Sequence, residues 1–153
     1  MSASWRVRAA AAADRAAWAR LRAQLWPDQD VADLAEELGD FFEDARLAAF
    51  VAEDGDGLCG FAEASLRSDY VNGTVSSPVA FLEGWYVAPS RRGQGLGRAL
   101  IAAVEAWGRA RGCRELASDA LLDNVDSHRA HAACGFEETE RVVYFRRGLD
   151  ADN

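Results

Sequence analysis

The chain has 153 residues, 50% of them apolar, and a formal net charge of −8. This length is typical of one domain with a full hydrophobic core, so we predict a single domain spanning residues 1–153. The acidic charge argues against a nucleic-acid surface, which needs a basic stripe, and the chain has no apolar run of about 18 residues that could span a membrane.

Strand and helix patterns follow each other through the first third of the chain. Residues 4–9 alternate as a strand does, and Asp14 is placed to cap a helix that ends at Trp26, before a proline. Apolar residues from Val31 to Phe42 recur at helical spacing and predict a second helix.

The middle of the chain is predicted to form a hairpin, a loop and a further strand. Residues 46–54 and 57–68 are apolar segments joined by an Asp-Gly-Asp-Gly turn, which is a hairpin signal. Residues 68–79 are polar and contain turn residues, and residues 80–88 form the next strand.

The last part of the chain predicts two helices and three strands. Residues 97–111 place four large apolar side chains on one helical face, and residues 113–119 follow as a strand. A short helix over 124–134 begins at an Asp or Asn cap. Segments 135–140 and 141–147 are predicted to close the chain as a strand pair. The order β-α-α-β-β-β-α-β-α-β-β predicts one mixed α/β domain.

The cysteines and histidines give no metal or disulfide signal. Cys59, Cys113 and Cys134 are scattered and odd in number, which is typical of reduced thiols. His128, His131 and Cys134 share one helical face but have no fourth partner nearby, so we predict no metal site. The Ala-rich N-terminus is interrupted by charges and lacks the apolar segment of a secretory signal, which favours a cytoplasmic location.

Three alternate glycines carry the strongest functional signal. Gly93, Gly95 and Gly97 stand between a strand and a helix, with Arg92 and Arg98 beside them. Without side chains, consecutive backbone N–H groups can converge on one anion, and the helix that follows adds the positive end of its dipole. Arginines add charge-assisted hydrogen bonds to phosphate oxygens. The stretch therefore predicts a pyrophosphate site, with a plain tight turn as the alternative.

Two common phosphate motifs do not fit this stretch. A P-loop requires Lys and Ser or Thr after its last glycine, whereas this chain has Arg98 and Ala99. A dinucleotide fingerprint has the spacing G-x-G-x-x-G at the start of a βαβ unit. Here the spacing is G-x-G-x-G and a strand pair precedes it.

The stretch RRGQGLGRAL resembles the acyl-CoA pyrophosphate loop of the GNAT superfamily of N-acetyltransferases. Arg92, Gly95 and Gly97 occupy the positions of its [QR]-x-x-G-x-[GA] pattern, and LDNVDSHRAHAACGFEE resembles its later motif. Four further segments resemble the aminoglycoside 6'-N-acetyltransferases of this superfamily: LRAQLWPD, SSPVAFLEGWYVAP, ASDALLDN and CGFEETERVVYFRR. The resemblance implies one GNAT-fold domain with a mostly antiparallel mixed sheet flanked by helices.

The resemblance also implies a donor, acetyl-CoA, with coenzyme A as product. The strand before the glycine turn separates from its neighbour in this superfamily, and the pantetheine arm lies in the gap. The residues implied to hold the donor are Trp85, Tyr86 and Val87 for the arm, Arg92, Gly93, Gln94, Gly95, Leu96, Gly97 and Arg98 for the pyrophosphate, and Asn124, Ser127 and His131 for its far side.

The implied reaction is direct attack of the 6'-amine on the thioester in a ternary complex, a route to antibiotic resistance. An ammonium must first lose a proton, and Asp119 at the end of a strand is the preferred acceptor of that proton. Glu83 has a supporting or substrate-binding role, and water is a further possible base. Tyr144 matches the tyrosine that protonates the leaving thiolate. For each, a purely structural role is the alternative.

The acceptor site implied by the resemblance is acidic and aromatic. Trp26 and Tyr70 match aromatic residues that stack on amino-sugar rings. Glu83 and Asp119 are the candidate carboxylates for the ammonium group, and Glu140, on a late predicted strand, is a third within reach of the acceptor. The related enzymes tend to be homodimers that sometimes share a C-terminal strand.

Two rival functions use the same donor loop. One is acetylation of another small amine or of a protein or peptide amine, which requires an open groove for extended peptide. The other is a non-catalytic acyl-CoA sensor. Eight carboxylates and no basic residue between Asp28 and Asp44 favour a polycationic acceptor, although a solvated helix face would look the same.

Overall fold

The structure is a computed structural model, and it describes residues 4–150. It divides into two compact units, Met1–Asp119 and Ala120–Asn153. Within the described part of the chain, no helix is both long and apolar enough to cross a membrane.

The first unit is built on a five-stranded sheet of order β1-β2-β3-β4-β5 within residues 4–150. Its strands are β1 (Arg6–Ala9), β2 (Leu47–Asp54), β3 (Gly57–Arg67), β4 (Val79–Val87) and β5 (Leu116–Ser118). The pairs β1–β2, β2–β3 and β3–β4 are antiparallel, whereas β4–β5 is parallel. This arrangement confirms the predicted mixed, mostly antiparallel sheet.

Four helices accompany this sheet in the first unit's described residues. They are α1 (Arg15–Leu25), α2 (Val31–Glu37), α3 (Asp40–Glu43) and α4 (Leu96–Ala110). The prediction of one helix from Val31 to Phe42 is wrong, because the helix is interrupted at Leu38 and Gly39. Their N–H groups bond three residues back, to Ala35 and Glu36, which tightens the turn and ends α2. Glycine at this point also weakens helix continuation.

The helices cover both faces of the sheet, and one strand shows how. Successive strand residues point to opposite faces, and Phe61 of β3 is buried in a cluster with Trp18 of α1. The preceding residue, Gly60, lies against Leu96 and Leu100 of α4, so that α1 and α4 pack on opposite faces. Helix α4 buries Leu96, Leu100, Ile101 and Val104.

A β-bulge interrupts the pairing of β3 with β4. Glu63 pairs with Gly84 and Ala64 pairs with Leu82, which leaves Glu83 as the extra residue of β4. A bulge redirects side chains and is common beside functional sites.

The second unit contains α5 (Val125–Ala133) and, among its described residues, no strand. The predicted strand pair over 135–140 and 141–147 is wrong, since residues 136–150 have no regular secondary structure. The sequence RVVYF has strand-forming residues, but a strand persists only when its backbone groups are paired. Tyr144 and Phe145 are instead 83% and 91% exposed.

Candidate functional site

The candidate site begins where the pairing of β4 with β5 ends. Their parallel ladder comprises three pairs and ends with Leu82 opposite Ser118. Glu83 and Asp119 are the next residues on the two strands, and neighbouring strands lie about 4.8 Å apart. Beyond this point Gly84 to Val87 continue to pair with β3, while β5 has ended. The structure thus places the two predicted carboxylates just beyond the last β4–β5 pair, at the carboxyl ends of two parallel strands, where open α/β sheets bind ligands.

Glu83 is held by two neighbours on β3. Its Oε1 accepts hydrogen bonds from the Ser65 hydroxyl at 2.6 Å and from Arg67 Nη2 at 2.8 Å. The Arg67 guanidinium lies 3.6 Å from the centroid of the Phe81 ring. The side chains of Arg67 and Glu83 are 42% and 36% exposed, so this ion pair is open to a competing cation. Asp119 is exposed.

The aromatic ring of Trp26 lies beside the bulge. Trp26 follows the last residue of α1, and its Cη2 atom lies 2.9 Å from the position that a Cβ on Gly84 would occupy. The Trp26 ring is 6.3 Å from that of Phe61, and the Arg22 guanidinium lies 5.1 Å from it. Tyr70, the other predicted aromatic, lies in the loop after β3 and is 74% exposed.

The glycine turn has the conformation that the sequence predicts. Gly93 and Gly95 have φ angles of 78° and 83°, in the left-handed region that favours glycine. Helix α4 begins at Leu96, and its first intrahelical hydrogen bond runs from Ala99 N–H to Gly95 C=O at 3.0 Å. Amides of a first helical turn have no acceptor inside the helix, so they can donate to an anion.

Two hydrogen bonds, one from Trp85 and one from Arg92, join this turn to β4. Trp85 Nε1 donates to Gly97 C=O at 3.2 Å, and a Cβ on Gly97 would lie 3.3 Å from the Trp85 ring. Arg92 Nε donates to Val87 C=O at 2.9 Å. The structure therefore brings the predicted arm residues and the predicted pyrophosphate residues together. Arg92, Gln94 and Arg98 are exposed.

In the second unit, three predicted donor-binding residues form one local chain of hydrogen bonds. Asn124 caps α5 by accepting the Ser127 N–H at 3.2 Å. His131 Nδ1 lies 2.7 Å from the Ser127 carbonyl oxygen, to which it donates, and its ring packs edge-on against Phe136. His128 bonds instead to the Leu121 carbonyl. Each of these contacts also stabilises the helix itself.

Two further predicted residues lie in the segment without regular secondary structure. Glu140 and Tyr144 are both exposed, Tyr144 by 83%. Their predicted placement on closing strands is wrong, and their predicted roles stay predictions.

Sequence reasoning missed a buried ion pair beneath the bulge. Glu63, only 1% exposed, accepts hydrogen bonds from Trp18 Nε1 at 2.8 Å and from Arg22 Nε at 2.7 Å and Nη2 at 2.8 Å. Arg22 also reaches Glu37 at 2.9 Å. Burial disfavours the charge of Arg22, but its bonds to Glu63 and Glu37 outweigh burial and raise its pKa. A charged residue inside an apolar strand and an arginine on an apolar helix face indicate that each needs a partner, but not that the two meet.

Comparisons with known proteins point to one family. The chain matches the acetyltransferase (GNAT) family over residues 15–136. It is 61% identical over 145 residues to an aminoglycoside N(6')-acetyltransferase type 1 of Stenotrophomonas maltophilia, covering 94% of each chain. A protein of the same name from Salmonella typhimurium is 50% identical over 131 residues, which are 85% of this chain and 90% of that one. The solved structure of AAC(6')-Iy in complex with the bisubstrate analogue CoA-S-monomethyl-acetylneamine has a TM-score of 0.90 at 43% identity, covering 95% of this chain and 99% of that chain.

Proposed function

The chain belongs to the GNAT acetyltransferase family, and on that premise we propose that it is an acetyl-CoA-dependent aminoglycoside 6'-N-acetyltransferase that confers antibiotic resistance. One observation carries the proposal: Glu83 and Asp119 directly follow the last pair of the β4–β5 ladder, and Glu83 lies on the strand that leads into the glycine turn. Relatives up to 61% identical carry this name, and the neighbour AAC(6')-Iy was solved with a coenzyme A–aminoglycoside analogue.

The residues of the first unit fit the donor. Around Gly93 and Gly95 a Cβ would meet nothing within 4 Å, so a ligand can approach the backbone there. We assign the pyrophosphate to the amides from Gly93 to Arg98 together with the Arg92 side chain, and the pantetheine arm to Trp85, Tyr86 and Val87. When bound, acetyl-CoA supplies the acetyl thioester. The protein's part is to hold that thioester at the gap between β4 and β5.

Glu83 and Asp119 have different proposed roles toward the amine: Glu83 binds it and Asp119 accepts its proton. Glu83 uses Oε1 for Ser65 and Arg67, so its other oxygen, Oε2, is left to bind an ammonium group. Asp119 is the group that accepts the proton of the 6'-amine, directly or through water, because the amine attacks only when neutral. Trp26 beside the bulge offers a face on which an amino-sugar ring stacks.

The second unit carries the remaining proposed roles. Asn124, Ser127 and His131 are assigned to the donor, Glu140 to the acceptor, and Tyr144 to protonation of the thiolate. Their support is the residue-by-residue resemblance. We propose that both units form one acetyltransferase domain, since the family match over residues 15–136 crosses the boundary after Asp119.

We also propose a cytoplasmic homodimer. Val143, Tyr144 and Phe145 are 74%, 83% and 91% exposed, in a segment rich in strand-forming residues. Water contact at three such side chains is unfavourable. A second copy would cover them. Size-exclusion chromatography with light scattering tests it, with Phe145→Asp expected to shift the protein to a monomer.

The decisive experiment is thiol release from acetyl-CoA across a panel of amines, with the modified nitrogen located by NMR. We expect turnover with aminoglycosides that carry a 6'-amine and none with matched analogues that carry a 6'-hydroxyl. Turnover only with peptides would favour the protein acetyltransferase. Stabilisation by acetyl-CoA without thiol release from any amine would favour the sensor.

A variant then tests the assigned base. Asp119→Ala should abolish transfer while acetyl-CoA affinity stays within a few fold, because Asp119 acts on the amine. Asp119→Asn is the matched control for shape, and it should be equally inactive. Unchanged turnover, or loss of donor binding, would contradict the assignment.

A further inference from the structure

An ion pair joins the hairpin of β2 and β3 to the segment just before the glycine turn. Asp54 is the last residue of β2, and Arg91 belongs to the short 3-10 turn Pro89–Arg91 that precedes the turn glycines. Arg91 Nη2 and Nε lie 2.7 Å and 2.8 Å from Asp54 Oδ2. The side chains are only 13% and 8% exposed, so water screens this pair far less than a surface pair.

Asp54 is itself fixed by its own hairpin. Its other oxygen, Oδ1, accepts the Asp56 N–H at 2.8 Å within the turn between β2 and β3. The hydrogen bonds from Asp56 and Arg91 hold the pKa of Asp54 below its usual value. The carboxylate is therefore charged at neutral pH and available to Arg91.

The same hairpin supports both ends of the loop. Ala88 N–H donates to Cys59 C=O at 2.8 Å, just before the 3-10 turn. At the first residue of α4, Leu96 packs so closely that a Cβ on Gly60 would lie 3.0 Å from its Cδ2 atom. Arg91 lies between Ala88 and Leu96 in the chain, so its ion pair with Asp54 adds a charged contact between the other two.

These contacts leave Arg91 little capacity for a phosphate. Two of its nitrogens bond to Asp54, and the third, Nη1, lies 3.4 Å from Gln94 Oε1. Arg92, the next residue, is exposed, whereas Arg91 is mostly buried. The two consecutive arginines therefore have different environments.

We propose that Asp54 is a positioning residue for donor binding: it holds Arg91 and thereby fixes the backbone amides of the glycine turn at the pyrophosphate. Arg91 is a support of the turn and not a phosphate ligand. This inference rests on the proposed use of acetyl-CoA. A turn ordered before binding loses less conformational entropy when the ligand arrives.

The test compares two donors that differ in the diphosphate. With a 6'-amino aminoglycoside at saturation, Asp54→Asn should lower kcat/KM for acetyl-CoA about five- to tenfold, mainly through KM, as expected for one lost ordering contact. S-acetylpantetheine lacks the diphosphate, so its kcat/KM should stay within about twofold. The control Glu105→Gln removes an exposed ion pair with Arg109 on α4. It should leave kcat/KM unchanged for both donors.

A double-mutant cycle separates support from ligand. Arg91→Gln should cost no more than Asp54→Asn, and the double variant should cost no more than either alone. A loss above about a hundredfold in Arg91→Gln, repeated in the Asp54→Asn background, would make Arg91 a phosphate ligand and overturn the inference. An unchanged acetyl-CoA KM in Asp54→Asn, or equal losses with both donors, would also overturn it.

Two controls keep the outcomes distinct. If the unaltered protein releases no thiol from acetyl-CoA with any amine, the proposed function fails. If it does and Asp54→Asn behaves like it, only the positioning role fails. Should Asp54→Asn not fold, Arg91→Gln decides alone, by its loss with acetyl-CoA relative to S-acetylpantetheine.

Discussion

Two arginine–glutamate pairs involve glutamates on neighbouring strands, Glu63 on β3 and Glu83 on β4, and they differ chiefly in their contact with water. Arg22–Glu63 has side chains 6% and 1% exposed, whereas Arg67–Glu83 has 42% and 36%. The bond lengths are nearly equal, at 2.7 Å and 2.8 Å. Identical chemical groups at equal distances therefore serve different purposes, and burial decides which.

The buried pair cannot exchange partners. Removing one charge would leave the other in an apolar core, where an unpaired ion is very costly. The exposed pair lies in water and in salt, where such contacts contribute little to stability. Glu83 can therefore bind an incoming ammonium group in competition with Arg67, while Glu63 stays a fixed support for the strand beside it.

The largest expected effect is the loss of the buried carboxylate. Glu63→Ala removes the acceptor of Trp18 Nε1 and of two Arg22 nitrogens, so the free energy of unfolding should fall by about 3–5 kcal/mol. Urea denaturation measures this change. Glu83→Ala is the matched control and should cost less than about 1 kcal/mol. Equal costs for the two variants would contradict the comparison.

The next largest effect is expected at Gly84, which pairs with Glu63 and follows Glu83 on β4. A Cβ on Gly84 would come within 2.9 Å of Trp26, so Gly84→Ala should cost about 1–3 kcal/mol by overpacking. Displacement of Trp26 should also raise the aminoglycoside KM. Gly55→Ala is the control, because a Cβ there meets nothing within 4 Å. A stable variant with an unchanged KM would show that Trp26 can move freely.

A third pair has intermediate burial. Arg8 and Asp14 have side chains 28% and 11% exposed and bond at 2.7 Å. Asp14→Asn should therefore cost about 1–2 kcal/mol in the free energy of unfolding at neutral pH, between the other two pairs. A cost above that of Glu63→Ala would break the relation between burial and stability.

The same pair predicts a dependence on pH. The hydrogen bonds from Arg8 hold the pKa of Asp14 below its usual value. This stabilisation is present above the usual carboxyl pKa and is lost as the pH falls below it, between about pH 5 and pH 2. Urea midpoints measured across that range should fall less steeply in Asp14→Asn than in the unaltered protein, and parallel slopes would contradict the prediction.

The smallest expected effect is on the exposed pair. Arg67→Met should change the free energy of unfolding by less than about 0.5 kcal/mol but lower the aminoglycoside KM, because no protein cation then competes for Glu83. In the unaltered protein, the KM should rise with ionic strength, since salt screens the attraction of carboxylates for a polycation. A KM insensitive to both salt and this variant would remove Glu83 from the acceptor site.

Local features were predictable from the sequence. The glycine turn needed only the backbone freedom of Gly93 and Gly95 and the start of a helix, and the structure has both. The cap of α5 is Asn124, one of the two candidates at that position. These features depend on residues that are close in sequence.

Features that depend on distant partners were not predictable. Glu63 and Arg22 are 41 residues apart, and nothing in either neighbourhood specifies that they meet. The bulge that isolates Glu83 likewise depends on the register between β3 and β4. Residues 141–145 include strand-forming side chains, but strand formation requires a partner that the pattern alone does not supply.

Each ion pair described above uses a guanidinium, because all 17 basic residues of the chain are arginine. A guanidinium stays protonated and is not an acyl acceptor at physiological pH. A protein that holds a reactive thioester thus presents no lysine amine to compete with the antibiotic as nucleophile. Self-modification cannot neutralise Arg22 or Arg91, and intact-mass spectra after prolonged exposure to the donor should show no N-acetylated side chain.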